Sequence, residues 1–253
     1  MATETNNCLD HGDWIPASTD FHQTLGRTTL DLWRIPLEQT VQLDVLSEDE
    51  LNRFKRYRFE ADQRKFAVAR SSLRKILARY SQQTPAGLTF DYGPYGKPFL
   101  RDNGSLQFNL SHSGEYALCG VARQIVGLDI ELLRSMDRLE GLIKRCLAPC
   151  EQEDLAHIPP NQQSTAFLKY WTCKEAYLKA TGQGISESLQ AIAVTFTPYP
   201  ELKVPGPSWQ LKIFTPCDGY TAAVVTSPGI NKIRLWQSDW LTSPQTNADG
   251  AVG

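Results

Sequence analysis

Along the chain, apolar positions fall into stripes and alternations that predict two runs of similar elements. Residues 61–80 place Phe66, Ala69, Leu73, Ile76, Leu77 and Tyr80 on one helical stripe, with Arg70, Arg74 and Lys75 off it. A strand is expected before it near 30–34, with a shorter basic helical segment at 47–57. Strands follow at 88–92, 106–110 and 116–122. The second run opens with a strand at 127–132, then helical segments at 139–146 and 150–157 and a long helix at 164–180. Strands at 191–197, 209–214 and 221–226 close it. The ends of the runs rhyme: a turn glycine, Gly114 or Gly219, leads into a strand of small apolar residues. This order predicts an α+β fold built from two similar halves, 1–125 and 126–241, with a flexible tail over 242–253. A site is then expected in the crevice between the halves.

Composition changes this picture little. The chain has 253 residues, 41% apolar and 21% charged, a globular balance with length enough for a sizeable core. A formal net charge of -2 exerts no global pull on nucleic acid or anionic membrane. Locally, ten of the 26 basic residues lie between Arg53 and Arg79, opposed there only by Glu60 and Asp62. Such a run fits a solvated helix face or an anion-binding wall. The six cysteines (Cys8, Cys119, Cys146, Cys150, Cys173 and Cys217) form no C-x-x-C pair and read as thiols of a reducing compartment. Cys146 and Cys150 are split by Pro149 and lack a His partner, which argues against zinc. The first residues show no basic-then-apolar leader, and no apolar run approaches the ~20 residues of a membrane span. A cytoplasmic protein that does not cross a membrane is expected.

Candidate chemistry begins in Val126-Gly127-Leu128-Asp129-Ile130-Glu131-Leu132. Strand alternation puts Asp129 and Glu131 on one face, about 7 Å apart. Two anions that close repel unless a cation lies between them. A hard cation such as Mg2+ suits these oxygen ligands and takes up phosphate oxygens as well, whereas the plain alternative is a solvated strand face. In the helix at 164–180, Lys174 interrupts a stripe of Phe167, Tyr170, Trp171, Tyr177 and Leu178, with Glu175 beside it and Lys179 four residues on. An i,i+4 surface ion pair would account for Glu175 and Lys179. So would a third carboxylate and two cations presented to an anionic ligand.

V-G-L-D-I-E at 126–131 followed by W-x-x-K-E-A-x-x-K at 171–179 resembles the signature of 4'-phosphopantetheinyl transferases. Upstream, Tyr95-Gly96-Lys97-Pro98 and Phe108-Asn109-Leu110-Ser111-His112-Ser113-Gly114 resemble further segments of that family, in the expected order. The likeness spans about 53–180, and the length resembles members that hold two pseudo-symmetric halves in one chain. It implies a duplicated fold, each half a small, mostly antiparallel sheet packed on a long helix, with the active site between them. It also implies transfer of the phosphopantetheine arm of coenzyme A to a serine of an apo acyl or peptidyl carrier protein, with release of 3',5'-ADP.

Carried over by position, the resemblance implies Mg2+ on Asp129, Glu131 and Glu175. Glu175 would also act as base, and Lys179 would contact the pyrophosphate. Ser111, His112, Lys97 and Pro98 would line the coenzyme A site. Arg64 would face its 3'-phosphate, with Arg53, Lys55 and Arg56 as candidates for the same phosphate. A monomer is implied, since an internal interface replaces a subunit interface. Two other classes remain in view. A nucleic-acid-binding protein would use the basic 53–79 run and bind with steep salt dependence, but no recognised motif occurs there. A non-catalytic binding module would have no need of Asp129, Glu131, Glu175, Lys179 and His112 together.

Overall fold

Strand β2 (Thr29–Pro36) is buried along most of its length because it has a core on each face. Leu30 and Leu32 enter one apolar cluster, while Trp33 and Ile35 enter another. The computed structural model describes residues 14–17, 24–184 and 189–238, so the expected tail at 242–253 and Cys8 lie outside the described residues.

The first sheet has the order β1-β12-β2-β6-β5, with β1 (Ile15–Pro16), β5 (Gln107–Ser113), β6 (Tyr116–Ala122) and β12 (Lys232–Gln237). Helix α1 (Glu48–Lys55) precedes α2 (Glu60–Ser81), which covers one face of this sheet through Val68, Leu73, Ile76 and Leu77. The second sheet has the order β10-β11-β7, with β7 (Val126–Leu132), β10 (Gln210–Phe214) and β11 (Tyr220–Thr226). Helices α3 (Leu139–Cys146) and α4 (Pro149–Ala156) lead into α5 (Pro160–Thr181), which covers the outer face of this sheet through Phe167, Cys173, Ala176 and Leu178. Between the sheets lies a third cluster, where Leu30, Leu32 and Leu118 meet Leu128, Ile130 and Val224. The layers therefore run α2, first sheet, second sheet, α5.

The α+β class agrees with the sequence, but the sheets differ in detail. The second is antiparallel throughout, whereas the first is mixed, because β12 pairs parallel with β2 and β1 parallel with β12. β12 lies within 126–241 yet returns to the first sheet. Asp31 explains its anchorage: its buried carboxylate takes two bonds from Arg234 (2.5 and 2.7 Å) and one from Tyr80 (2.7 Å). Two short hairpins are half anticipated: β3 (Phe90–Tyr92) and β8 (Ala193–Thr195) fall within the strands expected at 88–92 and 191–197, whereas their partners β4 (Pro98–Leu100) and β9 (Glu201–Lys203) escape a periodicity reading. Three residues are too few to display alternation. The turn of the first needs Gly96 at φ +82°, a conformation closed to most side chains.

Gly127 sets how closely α5 approaches β7. A Cβ there would stand 2.2 Å from the carbonyl oxygen of Ala176 and 2.1 Å from the amide nitrogen of Ala180. Any side chain would drive the helix off the strand. Helix α5 brings Glu175 and Lys179 over β7, so this glycine positions the chemistry two residues further on.

Candidate active site

The two sheets meet along β5 and β7, edge strands of different sheets that pack side by side without a backbone ladder. Period two along β5 sends Phe108 and Leu110 into the α2 core and Asn109, Ser111 and Ser113 towards β7. Those three side chains substitute for the missing ladder. Asn109 Oδ1 accepts from the N–H of Leu128 (2.9 Å), and Ser111 Oγ donates to Asp129 Oδ1 (2.7 Å). Ser113 Oγ donates to Glu131 Oε2 (2.9 Å) and accepts from the N–H of Leu132 (3.1 Å).

Asp129 is nearly closed from solvent, and Lys179 of α5 donates to its Oδ1 (2.5 Å) and to Ser111 Oγ (2.8 Å). Glu175, one helical turn before Lys179, is buried at 8% exposure. Burial raises the Glu175 carboxyl above its usual range, Lys179 opposes that, and Asp129 and Glu131 add to it. Burial and then the charge of Asp129 likewise raise Glu131, whereas Ser113 pulls it back. The three carboxylates thus feel one another across one space. Among the described residues no three His, Cys, Asp or Glu side chains converge closely enough to hold a metal ion. Mutual repulsion opposes such convergence, and the ammonium of Lys179 supplies the positive charge at Asp129. Two acceptors point to what is needed: Asp129 Oδ2 and Glu175 Oε1 are buried with no hydrogen-bond partner. Buried polar atoms are rarely left so, and an oxygen-ligating cation would satisfy both. The donor set fits Mg2+.

A crevice of about 210 Å³ joins Glu175 and Lys179 to Lys97, Pro98, Asn109 and Leu110. It shares Pro98, Asn109 and Leu110 with a larger one of about 820 Å³, walled by Arg53, Arg56, Arg70, Tyr92 and His112. The path therefore leads from Glu175 and Lys179 to the guanidinium groups of Arg53, Arg56 and Arg70. His112 is exposed at the rim, yet the crevice walls thin the water around its ring. That desolvation, followed by Lys179, Lys65 and Arg53, lowers its pKa below the usual histidine range. Arg53 lies over the Phe66 ring, 5.3 Å from its centre, which limits where the guanidinium can swing.

The remaining sequence candidates scatter. Arg64 donates to the backbone oxygens of Glu38 (2.6 Å) and Gln39 (3.4 Å), and Lys55 is exposed on α1 outside the crevice lining. Much of the basic run is committed internally: Arg70 and Arg74 bind Glu50, and Lys65 binds Glu115. Lys174 is no part of the site. Its ammonium is wholly buried on Glu151 (2.5 Å) and the carbonyls of Cys146 and Leu189 (both 2.9 Å). Asn109 and Arg70, which line the crevices, and Ser113, which bonds to Glu131 from outside them, are residues that the sequence candidates omitted. Period two from Ser111 would have found Asn109 and Ser113, whereas Arg70 depends on how α1 and α2 dock; Arg56, a candidate for the 3'-phosphate, does line the larger crevice.

Lys97 reaches across the seam, donating to the carbonyls of Val126 (3.2 Å) and Ala180 (3.0 Å). Burial lowers its pKa to about 8. The folded chain thus releases this proton before the unfolded chain does, and the cost of burying the cation fades as pH climbs from about 8 towards about 10.5. Wild type should therefore gain stability relative to Lys97→Met between about pH 7.5 and 9.5 in denaturant melts. A difference that stays flat, or falls, over that interval contradicts this assignment.

Residues 125–225 match the sequence pattern of the 4'-phosphopantetheinyl transferase superfamily, and residues 33–124 match that of the 4'-phosphopantetheinyl transferase N-terminal region. The 4'-phosphopantetheinyl transferase HetI of Nostoc sp. is 43% identical over 225 residues, 85% of this chain and 93% of the relative. The 4'-phosphopantetheinyl transferase Sfp of Bacillus subtilis is 28% identical, covering 60% of this chain and 67% of the relative. Among solved structures, a holo-(acyl-carrier-protein) synthase from Bacillus anthracis in complex with CoA (3',5'-ADP) overlaps with 24% identity and a TM-score of 0.37. It covers 40% of this chain and 92% of that one.

Proposed function

The chain belongs to the 4'-phosphopantetheinyl transferase superfamily, and from that premise we infer what its crevice does with coenzyme A. The protein is a transferase that moves the 4'-phosphopantetheine arm of coenzyme A to a serine of an apo carrier protein. One observation carries the assignment of the site: the continuous path from Glu175 and Lys179 to Arg53, Arg56 and His112. It has Arg53, Arg56 and Arg70 at one end for the nucleotide phosphates, and Glu175 with Lys179 at the other for the reacting pyrophosphate.

In this reading Arg53, Arg56 and the His112 rim hold the 3'-phosphate end, and Lys179 meets the pyrophosphate as a point charge. Asp129, Glu131 and Glu175 are the residues to hold Mg2+, which when bound neutralises charge on the pyrophosphate oxygens and the departing phosphate. The serine oxygen bonds to the phosphorus bearing the pantetheine, and the bond from that phosphorus to the bridging oxygen of 3',5'-ADP breaks. Glu175 takes the serine proton, directly or through one water. A carboxylate within hydrogen-bond reach of the hydroxyl is what this proton transfer requires, and Glu175 lines the crevice beside Lys179.

The halves at 1–125 and 126–241 are proposed to be duplicates that work as a monomer. Support comes from α2 on the first sheet and α5 on the second, with the reactive groups at their junction. A cytoplasmic setting is proposed as well. Five cysteines among the described residues carry free thiols, and no described helix is long and apolar enough to cross a membrane.

The test is product analysis. With coenzyme A, Mg2+ and an apo carrier, chromatography should find one 3',5'-ADP for each carrier converted. No nucleotide release with fatty-acid, polyketide and peptide carriers alike would contradict the assignment.

A further inference from the structure

We propose that Ser113 is a positioning residue for the transfer, fixing from the first sheet the rotamer of Glu131 on the second. The proposal rests on the reading that Glu131 helps to hold Mg2+. Asp129 is fixed by burial, by Ser111 and by Lys179, and Glu175 is buried on a helix packed against β7. Glu131 lacks such constraint. Its side chain is 20% exposed, and Arg134 stands 3.7 Å away, beyond hydrogen-bond range. Among the described residues, the Ser113 hydroxyl is the only hydrogen-bond donor given to its carboxylate.

The direction of that bond is set by the backbone. The edge of β7 facing β5 has no ladder, so the N–H of Leu132 donates to Ser113 Oγ. A hydroxyl oxygen that accepts there turns its own hydrogen elsewhere, and Glu131 Oε2 lies at 2.9 Å. A backbone amide next to the carboxylate thus orients the hydroxyl that orients the carboxylate. Groups in this relation to a metal ligand typically change metal affinity by 10- to 100-fold when removed. Ser113 touches neither substrate nor metal in this scheme, so its removal should act on metal affinity before it acts on the chemical step.

Mn2+ is titrated into the full chain, without coenzyme A, and followed by electron paramagnetic resonance. Ser113→Ala should weaken Mn2+ binding about tenfold, and Ser113→Thr, which keeps the hydroxyl, should stay within about twofold of wild type. In transfer assays Ser113→Ala should need about tenfold more Mg2+ for half-maximal rate, with kcat at saturating Mg2+ and KM for the carrier unchanged. Should Ser113→Ala not accumulate as folded protein, Ser113→Cys, similar in size but a weak donor, makes the same comparison. Wild-type Mn2+ affinity in Ser113→Ala, or a threonine variant as weak as the alanine one, overturns the proposal. Glu131→Ala separates the two levels. If it weakens Mn2+ binding while Ser113→Ala does not, the positioning role falls and the metal assignment stands. If Glu131→Ala binds Mn2+ as wild type does, the metal assignment itself falls.

Discussion

Asp129→Ala should lower kcat/KM for carrier modification by about 10³-fold or more, in the range that loss of a transition-state stabilising group produces, while the protein stays folded. The side chain has two duties. Oδ1 holds Lys179 and Ser111, and Oδ2 is a buried acceptor with no partner, open to a cation. Alanine removes both at once: the proposed Mg2+ would lose a ligand, and Lys179 loses the anchor that keeps its ammonium over the crevice. Stability should change little, because loss of the Lys179 ion pair is offset by relief of repulsion with Glu131 and Glu175, both of which feel the Asp129 charge. Calorimetric melting and steady-state rates on one preparation check the two halves of this statement. Rates within tenfold of wild type, in chelator-treated buffer restored with Mg2+, would remove Asp129 from the metal set.

The largest loss of stability should come from a residue outside the chemistry. Lys174→Ala is expected to cost about 3–5 kcal/mol, as does breaking a buried ion pair by deleting one partner. Both side chains of the Lys174–Glu151 pair are fully buried. The pair is well satisfied, since Glu151 also accepts from the N–H of Ala148 (2.6 Å) and Val194 (2.7 Å). Lysine ties α5 to the end of α3, to α4 and to the segment before β8. Without it, the Glu151 carboxylate, whose pKa burial already raises, is left with no counter-charge. Lys174→Met combined with Glu151→Gln should recover part of the loss, because no charge stays buried, although the single oxygen of glutamine accepts from only one of the two amides that now bond to Oε2 and Oε1. Denaturant midpoints with an unchanged m-value would measure both. A loss under about 1 kcal/mol in Lys174→Ala would show the pair to be dispensable.

Lys174 also shows where sequence reasoning stops. A lysine within the stripe of Phe167, Tyr170 and Trp171 was legible as unusual, and the unusual feature was real: it is a buried cation. Its partner, 23 residues away on α4, was not legible, because nothing local marks a long-range ion pair. The same limit applies to Lys97, whose bonds to Val126 and Ala180 exist only once the halves dock. It applies to Arg64 too, whose bonds to the carbonyls of Glu38 and Gln39 no local pattern announces.

Periodicity succeeded where one element decides the outcome. The helices α2 and α5 and the shared face of Asp129 and Glu131 follow from local spacing. It failed for β12, whose place beside β2 depends on Asp31 meeting Arg234 across 203 residues. Gly127 stood in the motif from the start, but its purpose, the contact of bare backbone with α5, needs the packed structure.

The central claim is that a divalent cation held by Asp129, Glu131 and Glu175 serves transfer of the coenzyme A arm to a carrier serine. Intact-mass analysis of an apo carrier, incubated with the protein and coenzyme A, tests it most directly. With Mg2+ the carrier should gain the mass of one phosphopantetheine arm, on its serine. With chelator, or with Asp129→Ala in place of wild type, it should gain none on the same timescale. A gain undiminished by chelator would contradict the cation, and no gain under any condition would contradict the transfer itself.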